Sequence, residues 1–260
     1  MKMIADTLHI SRSNQYTRGR TPRRRYAPKP DDEVYLSHIR RITDERPSWG
    51  YRRVTAQLNR ERKERVNHKR IYRIMRINGL LLPKYTGRPA RLHTGQIITL
   101  SSNMRWCSDS FEILCFNGDR VRIAFAMDCS DREIMSYVAT TKGVTSDMVQ
   151  DLMAESIEYR FGTVDTVPHT IEWLTDNGSA YTAHETVRFA RMMGLEVCTT
   201  PYYSPESNGM AESFIKTFKR DYVQLNNITD ARSVMEKLPL WFEDYNEYHP
   251  HKGLKMKSPR

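Results

Sequence analysis

The sequence predicts an α/β fold in which a mixed β-sheet is flanked by helices and preceded by a small all-α domain. After Asn103 the hydrophobic period changes from that of helices to that of strands. Three strand-like segments joined by short turns then give way to alternating helices and strands, which is the pattern of a mixed sheet. The charge divides at the same place. Residues 1–100 carry 24 of the 41 Lys and Arg but only 8 of the 31 Asp and Glu, so their net charge is +16.

The all-α domain is predicted at residues 31–82, where three short amphipathic helices follow one another. Pro47 and Gly50 end the first helix, and Asn67 is the N-cap of the third. The three apolar stripes are, in order, Val34, Leu36, Ile39 and Ile42; Val54 and Leu58; and Ile71, Ile74 and Met75. The predicted outer face of the third helix consists of Lys69, Arg70, Arg73 and Arg76. A basic last helix is typical of a helix-turn-helix module, which sets that helix in the major groove of DNA, although the periodicity alone fits any small bundle.

Two segments without a core pattern flank this domain. Residues 1–30 are polar and basic, and we interpret them as an N-terminal arm that is the remnant of a further helical unit. Residues 83–102 contain Pro83, Gly87, Pro89 and Gly95 and are predicted to be a linker.

The α/β domain is predicted to occupy residues 103–260. Its strands are expected at 105–114, 120–128 and 133–140, where the turn Asn117-Gly118 is a strong hairpin signal. A helix at 146–161 follows, with Met148, Leu152 and Ile157 on its apolar side. Further elements are expected as a strand at 169–175, a helix at 182–193, a strand at 195–199 and a helix from about residue 207.

Composition excludes several classes of protein. No segment approaches the roughly 20 apolar residues of a membrane span, and the N-terminus lacks the apolar region of a signal peptide, so we expect a soluble, intracellular protein without a membrane partner. The four cysteines form no CxxC pair and stand near no paired histidines. This spacing predicts reduced, mostly buried thiols and argues against a zinc site.

Three acids stand out from the rest by their local settings. Asp176 follows a predicted strand and precedes Asn177-Gly178, Asp109 also follows a strand-like run, and Glu212 lies 35 intervening residues after Asp176 on an opening helix. Acids at strand ends are placed to act as ligands in open α/β sheets. The competing acids are Glu112, Asp128, Asp131, Glu172 and Glu206.

The helix of Glu212 adds two cations to this arrangement. Lys216 and Lys219 follow Glu212 at i+4 and i+7, on the same helical face. A few carboxylates suffice for Mg²⁺, which prefers oxygen ligands and keeps several waters. Two such ions about 3.5–4 Å apart promote in-line displacement at phosphorus. The pattern therefore favours metal-dependent phosphoryl transfer on a substrate with phosphates.

These residues carry a resemblance to a known family. The segments WCSD at 106–109, LTDNG at 174–178 and SPESNGMAESFIKTFK at 204–219 closely resemble the D,D(35)E motifs of insertion-sequence transposases. The chain is most similar to the second-frame (OrfB-type) product of insertion-sequence family three, whose core is related to retroviral integrase. WGYRR at 49–53 and RIYRIM at 70–75 are similar to the helix-turn-helix of that family. YN at 245–246, HPH at 249–251 and SP at 258–259 are similar to its C-terminal signature.

The resemblance implies an RNase H-like core and a DDE-type transposase. It implies that Asp109, Asp176 and Glu212 bind two Mg²⁺ ions, with Mn²⁺ as a substitute, and catalyse cleavage and joining of DNA. The implied partners are double-stranded DNA, as terminal inverted repeats and as target, and further copies of the protein on that DNA. The expected DNA-binding residues are Lys216, Lys219, Arg52, Arg53, Lys69, Arg70 and Arg73. Both ends look short beside the family, so we also expect either truncation or fusion with the upstream-frame product.

Other functions remain open at this stage. A transposase-derived repressor would bind DNA through residues 31–82 without catalysis. An RNA-directed nuclease is disfavoured by the helix-turn-helix, which recognises duplex DNA. A tyrosine recombinase would act through a covalent phosphotyrosine and would ignore chelators.

Overall fold

A computed structural model describes residues 29–83, 101–164, 167–199 and 209–260. The predicted arm at 1–30 and linker at 83–102 therefore lie almost wholly outside the described residues, as does Glu206. In the described part of the chain, no helix is both long and apolar enough to cross a membrane. The four cysteines are free thiols, and all except Cys198 are buried, which confirms that prediction.

The N-terminal helices pack around a core of their own, as predicted. They are α1 (Asp32–Glu45), α2 (Tyr51–Arg62) and α3 (His68–Ile77). The Asn67 side chain accepts the N–H of Lys69 at 2.9 Å and caps α3. The shared core consists of Leu36, Ile39, Ile42, Trp49, Val54, Leu58, Ile71, Ile74 and Met75. The prediction is wrong for Val34, which is 48% exposed, because it lies about 200° around α1 from Leu36.

The outer face predicted for α3 is wrong for two of its arginines. Arg70 donates its Nε–H to Asp32 Oδ1 at 2.8 Å, and its guanidinium lies 4.5 Å from the centre of the Tyr35 ring. Arg73 forms an ion pair with the same carboxylate. Asp32 is in the first turn of α1, where the helix dipole also favours a negative charge. Lys69 and Arg76 are exposed, as predicted.

The second domain is built on a five-stranded mixed sheet. Its strands are β1 (Arg105–Leu114), β2 (Arg120–Asp128), β3 (Ile134–Thr140), β4 (Ile171–Thr175) and β5 (Leu195–Thr199). Their order is β3-β2-β1-β4-β5. The first three pair antiparallel, while β4 lies parallel to both β1 and β5. All five predicted strands are present, and the mixed sheet flanked by helices confirms the predicted RNase H-like fold class.

Helices cover both faces of the sheet. One face is covered by α4 (Ser146–Phe161), α5 (Ser179–Thr182) and α6 (His184–Met192). The other is covered by α7 (Gly209–Phe218), its π-helical continuation Lys219–Val223, and α8 (Ala231–Tyr248). The bounds of α4 are as predicted, with Leu152 and Ile157 buried and Met148 only half-buried. Two helices that meet at Ala183 replace the single helix predicted at 182–193.

The helix α7 is attached to the sheet by aromatic contacts. Ala211, Phe214 and Phe218 are buried, and Tyr222 continues the same face. The Phe214 ring lies 4.5 Å from that of Phe125 on β2 and 4.8 Å from that of Tyr245 on α8, measured between centroids. Burial of each such side chain contributes about 1.5–3 kcal/mol. The apolar face predicted for this helix is therefore correct, and its position on the sheet is firmly determined.

The segment after α8 closes back onto the sheet and the N-terminal domain. The Asn246 amide donates to the carbonyl of Ile134 at 2.8 Å and accepts its N–H at 2.9 Å. His249 is 1% exposed and lies edge-to-face against Trp49, with ring centroids 5.9 Å apart. Burial lowers the pKa of His249, and the positive charge of Arg53 lowers it further, so the imidazole is neutral.

The two domains meet at a buried carboxylate on the extension of α7. The side chain of Asp221 is 1% exposed and accepts from Ser48 and, at 3.5 Å, from Arg53. Arg220 also donates from its Nη2 to the Oδ2 of Asp221 at 2.7 Å. Additional links are formed by Arg46 with Asp244, and by Arg60 with the Glu247 carbonyl and the Ser258 hydroxyl.

We expect Asp221→Asn to lower the free energy of unfolding by about 2 kcal/mol, because Arg53 and Arg220 lose their shared counter-charge. The measurement is urea unfolding followed by circular dichroism. The matched control is Glu236→Gln, whose exposed i,i+4 ion pair with Arg232 contributes little. Equal stability of Asp221→Asn and the wild type would contradict this account of the domain interface.

Candidate active site

Strand register brings Asp109 and Asp176 together. In the parallel pair β1–β4, Cys107 lies opposite Leu174. The same register, continued for two residues, sets Asp109 beside Asp176. Asp176 directly follows β4, as predicted. Asp109, however, lies in the middle of β1 rather than at a strand end, because Phe111 and Ile113 continue the buried alternation beyond it.

Both acids are on the side of the sheet that α7 covers. Side chains two residues apart on a strand share a face. Asp109 lies between Cys107 and Phe111, and both of these belong to the core under α7. Leu174, two residues before Asp176, belongs to the same core. Asp109 therefore faces α7 from the sheet, and Asp176 lies at the adjacent strand end.

Glu212 joins these two acids from the first turn of α7. The buried neighbours Ala211 and Phe214 fix the helix, while the Glu212 side chain is 42% exposed. Its Oε2 lies 3.0 Å from the Nζ of Lys216, one turn further along. Lys216 is thus bonded to a carboxylate and, at 75% exposure of its side chain, still reaches solvent.

The pKa of Asp109 indicates that the carboxylates of Asp176 and Glu212 lie near enough to act on it. Burial raises the pKa of Asp109 to about 6, and the charges of Asp176 and Glu212 contribute to the rise. The backbone N–H of Ser110, which donates to Asp109 at 2.7 Å, opposes it. Charges that raise the pKa of Asp109 lie near it, and a cation among the three acids would relieve the repulsion.

The turn after β4 holds Asp176 in place. Its Oδ1 accepts the N–H of Gly178 at 2.9 Å. A Cβ at position 178 would lie 2.9 Å from that oxygen and 3.3 Å from the Tyr181 ring, so a larger residue would displace the carboxylate. Tyr181 is buried, and its hydroxyl accepts from Ser108 at 3.1 Å. Neither Tyr181 nor Ser108 was predicted from sequence, and only their neighbours Asp109 and Asp176 could have pointed to them.

The lysines of α7 extend along the sheet from the acids. The Nζ of Lys219 lies 5.7 Å from the centre of the Phe111 ring, on the strand and face of Asp109. A cation over an aromatic face is held weakly enough to exchange for a phosphate.

The competing acids have structural partners. Asp128 is fully buried and accepts backbone N–H groups of Asn103, Ser130 and Asp131 in the turn after β2. Three more of the competing acids are in ion pairs: Asp131 with Arg160, Glu112 with Arg120 and Arg122, and Glu172 with Arg105. The fifth, Glu206, lies outside the described residues.

The acids are not arranged as a finished metal site. Among the described residues, no three His, Cys, Asp or Glu side chains stand at ligand spacing. The ion pair of Glu212 with Lys216 is one reason, because it draws this carboxylate along its own helix. The donor chemistry suits a hard divalent cation nonetheless, since the acids supply carboxylate oxygens alone.

The residues expected to bind DNA in the N-terminal domain fall into two groups. Arg52 and Lys69 are exposed. Arg53 is at the domain interface with Asp221, and Arg70 and Arg73 are bonded to Asp32. The second group is therefore engaged within the protein.

Family models match almost all of the described chain. Residues 29–88 match an HTH-like domain. Residues 100–205 and 193–259 each match a model described as integrase core domain.

Individual relatives agree with these models. The chain is 49% identical over 236 residues to transposase InsD for insertion element IS2A/D/F/H/I/K of Escherichia coli, covering 88% of this chain and 78% of the relative. It is equally similar to the InsD transposase for IS2-9 from strain K12, of which 76% is covered. A solved catalytic core domain of BIV integrase, 18% identical, covers 60% of this chain and 91% of its own length at a TM-score of 0.43.

The fold, the consecutive domains and the level of identity agree. The chain belongs to the insertion-sequence family three (IS3 family) of transposases, as a second-frame (OrfB-type) product with an HTH-like domain and an integrase core.

Proposed function

We propose that Asp109, Asp176 and Glu212 are the DDE catalytic triad of this transposase. The observation that carries the proposal is the pKa of Asp109, which burial and the charges of the other two acids raise to about 6. Functional sites are where such perturbed, mutually repelling carboxylates occur. The competing acids Glu112, Asp128, Asp131 and Glu172 serve turns and ion pairs instead.

The triad would hold Mg²⁺, or Mn²⁺ in its place, and we expect two ions in the active complex. Bound there, the metal supplies activation of the attacking oxygen and stabilisation of the leaving one during transesterification. Such chemistry cuts DNA at the ends of the insertion sequence and joins the freed 3′ end to another strand. Asp109 contributes most when it is ionised, and a bound cation would favour that form by lowering its pKa.

The protein's own side chains would direct the DNA to this site. We propose that Lys216 exchanges Glu212 for a DNA phosphate, which frees Glu212 to join the other two acids. Lys219 would bind a second phosphate over β1. Each exchange would give the lysine a charge-assisted contact with a phosphate in place of a solvent-exposed contact within the protein.

DNA recognition would begin at the exposed side of the N-terminal domain. Arg52 and Lys69 remain our candidates there for duplex DNA, both terminal inverted repeats and target, whereas Arg53, Arg70 and Arg73 have other partners. Since two DNA ends react together, we propose self-association on DNA. Fusion with the upstream-frame product is a further proposal. The action would take place in the bacterial cytoplasm, where the chromosome lies.

We expect Asp109→Asn, Asp176→Asn and Glu212→Gln each to lower the rate of Mg²⁺-dependent cleavage by more than about 100-fold, because each removes a charged metal ligand. The measurement is cleavage of a duplex that carries the terminal repeat, with duplex binding measured in parallel and expected to survive.

The matched control is Glu112→Gln, an acid on the same strand as Asp109 that pairs with Arg120 and Arg122 at the surface. It should cleave at the wild-type rate. Strand transfer by any triad variant would refute the assignment, and binding without cleavage by the wild type would favour the repressor.

The acid cluster also predicts an unusual effect on stability. In EDTA, Asp109→Asn should be more stable than the wild type by about 2 kcal/mol above pH 6. The unfolded chain ionises Asp109 near pH 4 and the folded chain near pH 6. Wild-type stability is therefore lost as the pH rises through that window, and the two proteins should be equally stable below it. A constant difference at all pH values would contradict the raised pKa.

A further inference from the structure

A cavity of about 220 Å³ lies along α7, on the flank next to the row of Glu212 and Lys216. We name it the α7 cavity. One wall is Ser213 and Thr217, which are one helical turn apart. The opposite walls are Arg132, from the turn between β2 and β3, and His251 and Lys252, from the segment after α8. Among the described residues, the lining includes Arg53 as well and contains no Asp or Glu.

The side chains around the α7 cavity offer donors without acceptors. Within the described residues, the Arg132 guanidinium and the Lys252 ammonium have no hydrogen-bond or ion-pair partner. The Nε2 of His251 is buried and likewise has no partner in that part of the chain. Lys252 is exposed and Arg132 is half-buried, so both can bind an anion from solvent, while the buried Nε2 of His251 lacks the partner that buried polar groups normally have.

The backbone presents these donors from structured segments. Arg132 has φ +68°, the left-handed region that side chains other than Gly, Asn and Asp seldom adopt. Its N–H bonds the Asp128 carbonyl at 3.0 Å, which fixes the turn. His251 donates its N–H to the Lys257 carbonyl at 2.9 Å, and so closes the segment that carries Lys252. Backbone strain of this kind is retained where the surrounding structure uses the side chain it directs.

The charge around the α7 cavity is positive. Burial lowers the pKa of His251 to about 4, and Arg132 and Arg53 lower it further, so the ring is neutral among cations. Arg53 is balanced by Asp221 across the domain interface, whereas Arg132 and Lys252 face no carboxylate in the described residues. The missing partner is therefore an anion with several acceptor oxygens.

We propose that the α7 cavity binds a backbone phosphodiester of the DNA strand held across the acid triad. A phosphodiester has one charge and two free oxygens, which match a guanidinium and an adjacent ammonium or hydroxyl. The wall of the cavity is the helix that carries Glu212, so its occupant would lie beside the reacting strand. This inference rests on the proposed function for its choice of DNA over free phosphate.

The test measures binding of the full chain to a short labelled duplex in EDTA, so that metal and catalysis play no part. Arg132→Gln and Lys252→Gln should each lower the salt slope of the binding constant by about 0.9, the value for one lost phosphate contact. The ratio of the wild-type binding constant to that of either variant should then fall about threefold between about 50 and 200 mM salt. Arg132→Lys should restore the slope.

The matched control is Arg232→Gln, an exposed arginine on α8 outside the cavity, which should keep the wild-type slope. Melting temperatures equal to that of the wild type establish that the variants fold. Folded Arg132→Gln and Lys252→Gln with unchanged slopes would overturn the proposal. The proposal would also be overturned if inorganic phosphate raised the melting temperature of the wild type but not of Arg132→Gln, while the DNA slopes stayed unchanged. Because the acids take no part in this assay, failure of the triad assignment would leave its outcome intact.

Discussion

The packing of α7 on the sheet is the contact on which the rest of the structure depends. Its buried row, Ala211, Phe214 and Phe218, fixes the rotation of the helix. That rotation directs Glu212 to the side of Asp109 and Ser213 to the α7 cavity. The π-helical extension then sets Asp221 under the N-terminal domain. A π-turn shifts the register of side chains, and such turns occur often at functional sites. The apolar stripe of α7 thus sets the positions of Glu212, of Ser213 at the α7 cavity and of Asp221 at the domain interface.

The two domains are joined by direct side-chain contacts. The segment at 49–53 resembles part of a DNA-binding module, yet Trp49 packs edge-to-face against His249 and Arg53 bonds to Asp221. The N-terminal domain is therefore bonded directly to the π-helical extension of α7. Removing the N-terminal domain would expose the neutral His249 and leave Asp221 without a counter-charge from that side. We expect the core to lose stability when it is separated.

The proximity of Asp109, Asp176 and Glu212 costs the protein stability. Asp109 is desolvated beside two other carboxylates, and the apo protein bears this cost as a raised pKa. The Glu212–Lys216 ion pair relieves part of the repulsion while no cation is bound. Gly178 and Tyr181 restrict Asp176, so the least constrained member is Glu212. Completion of the site would therefore be a movement of that side chain rather than of the sheet.

Local patterns in the sequence determined the elements and the identity of the acids, whereas pairing over distance was decided only by the fold. Alternation and turn residues gave the strands, because each face of a strand is either buried or not. The spacing from Asp176 to Glu212 singled out both residues. Sequence could not tell that Arg53 is bonded to Asp221, or that Arg70 and Arg73 are bonded to Asp32. The sequence shows a charged residue but not its partner, which can be solvent, DNA or a carboxylate 168 positions away.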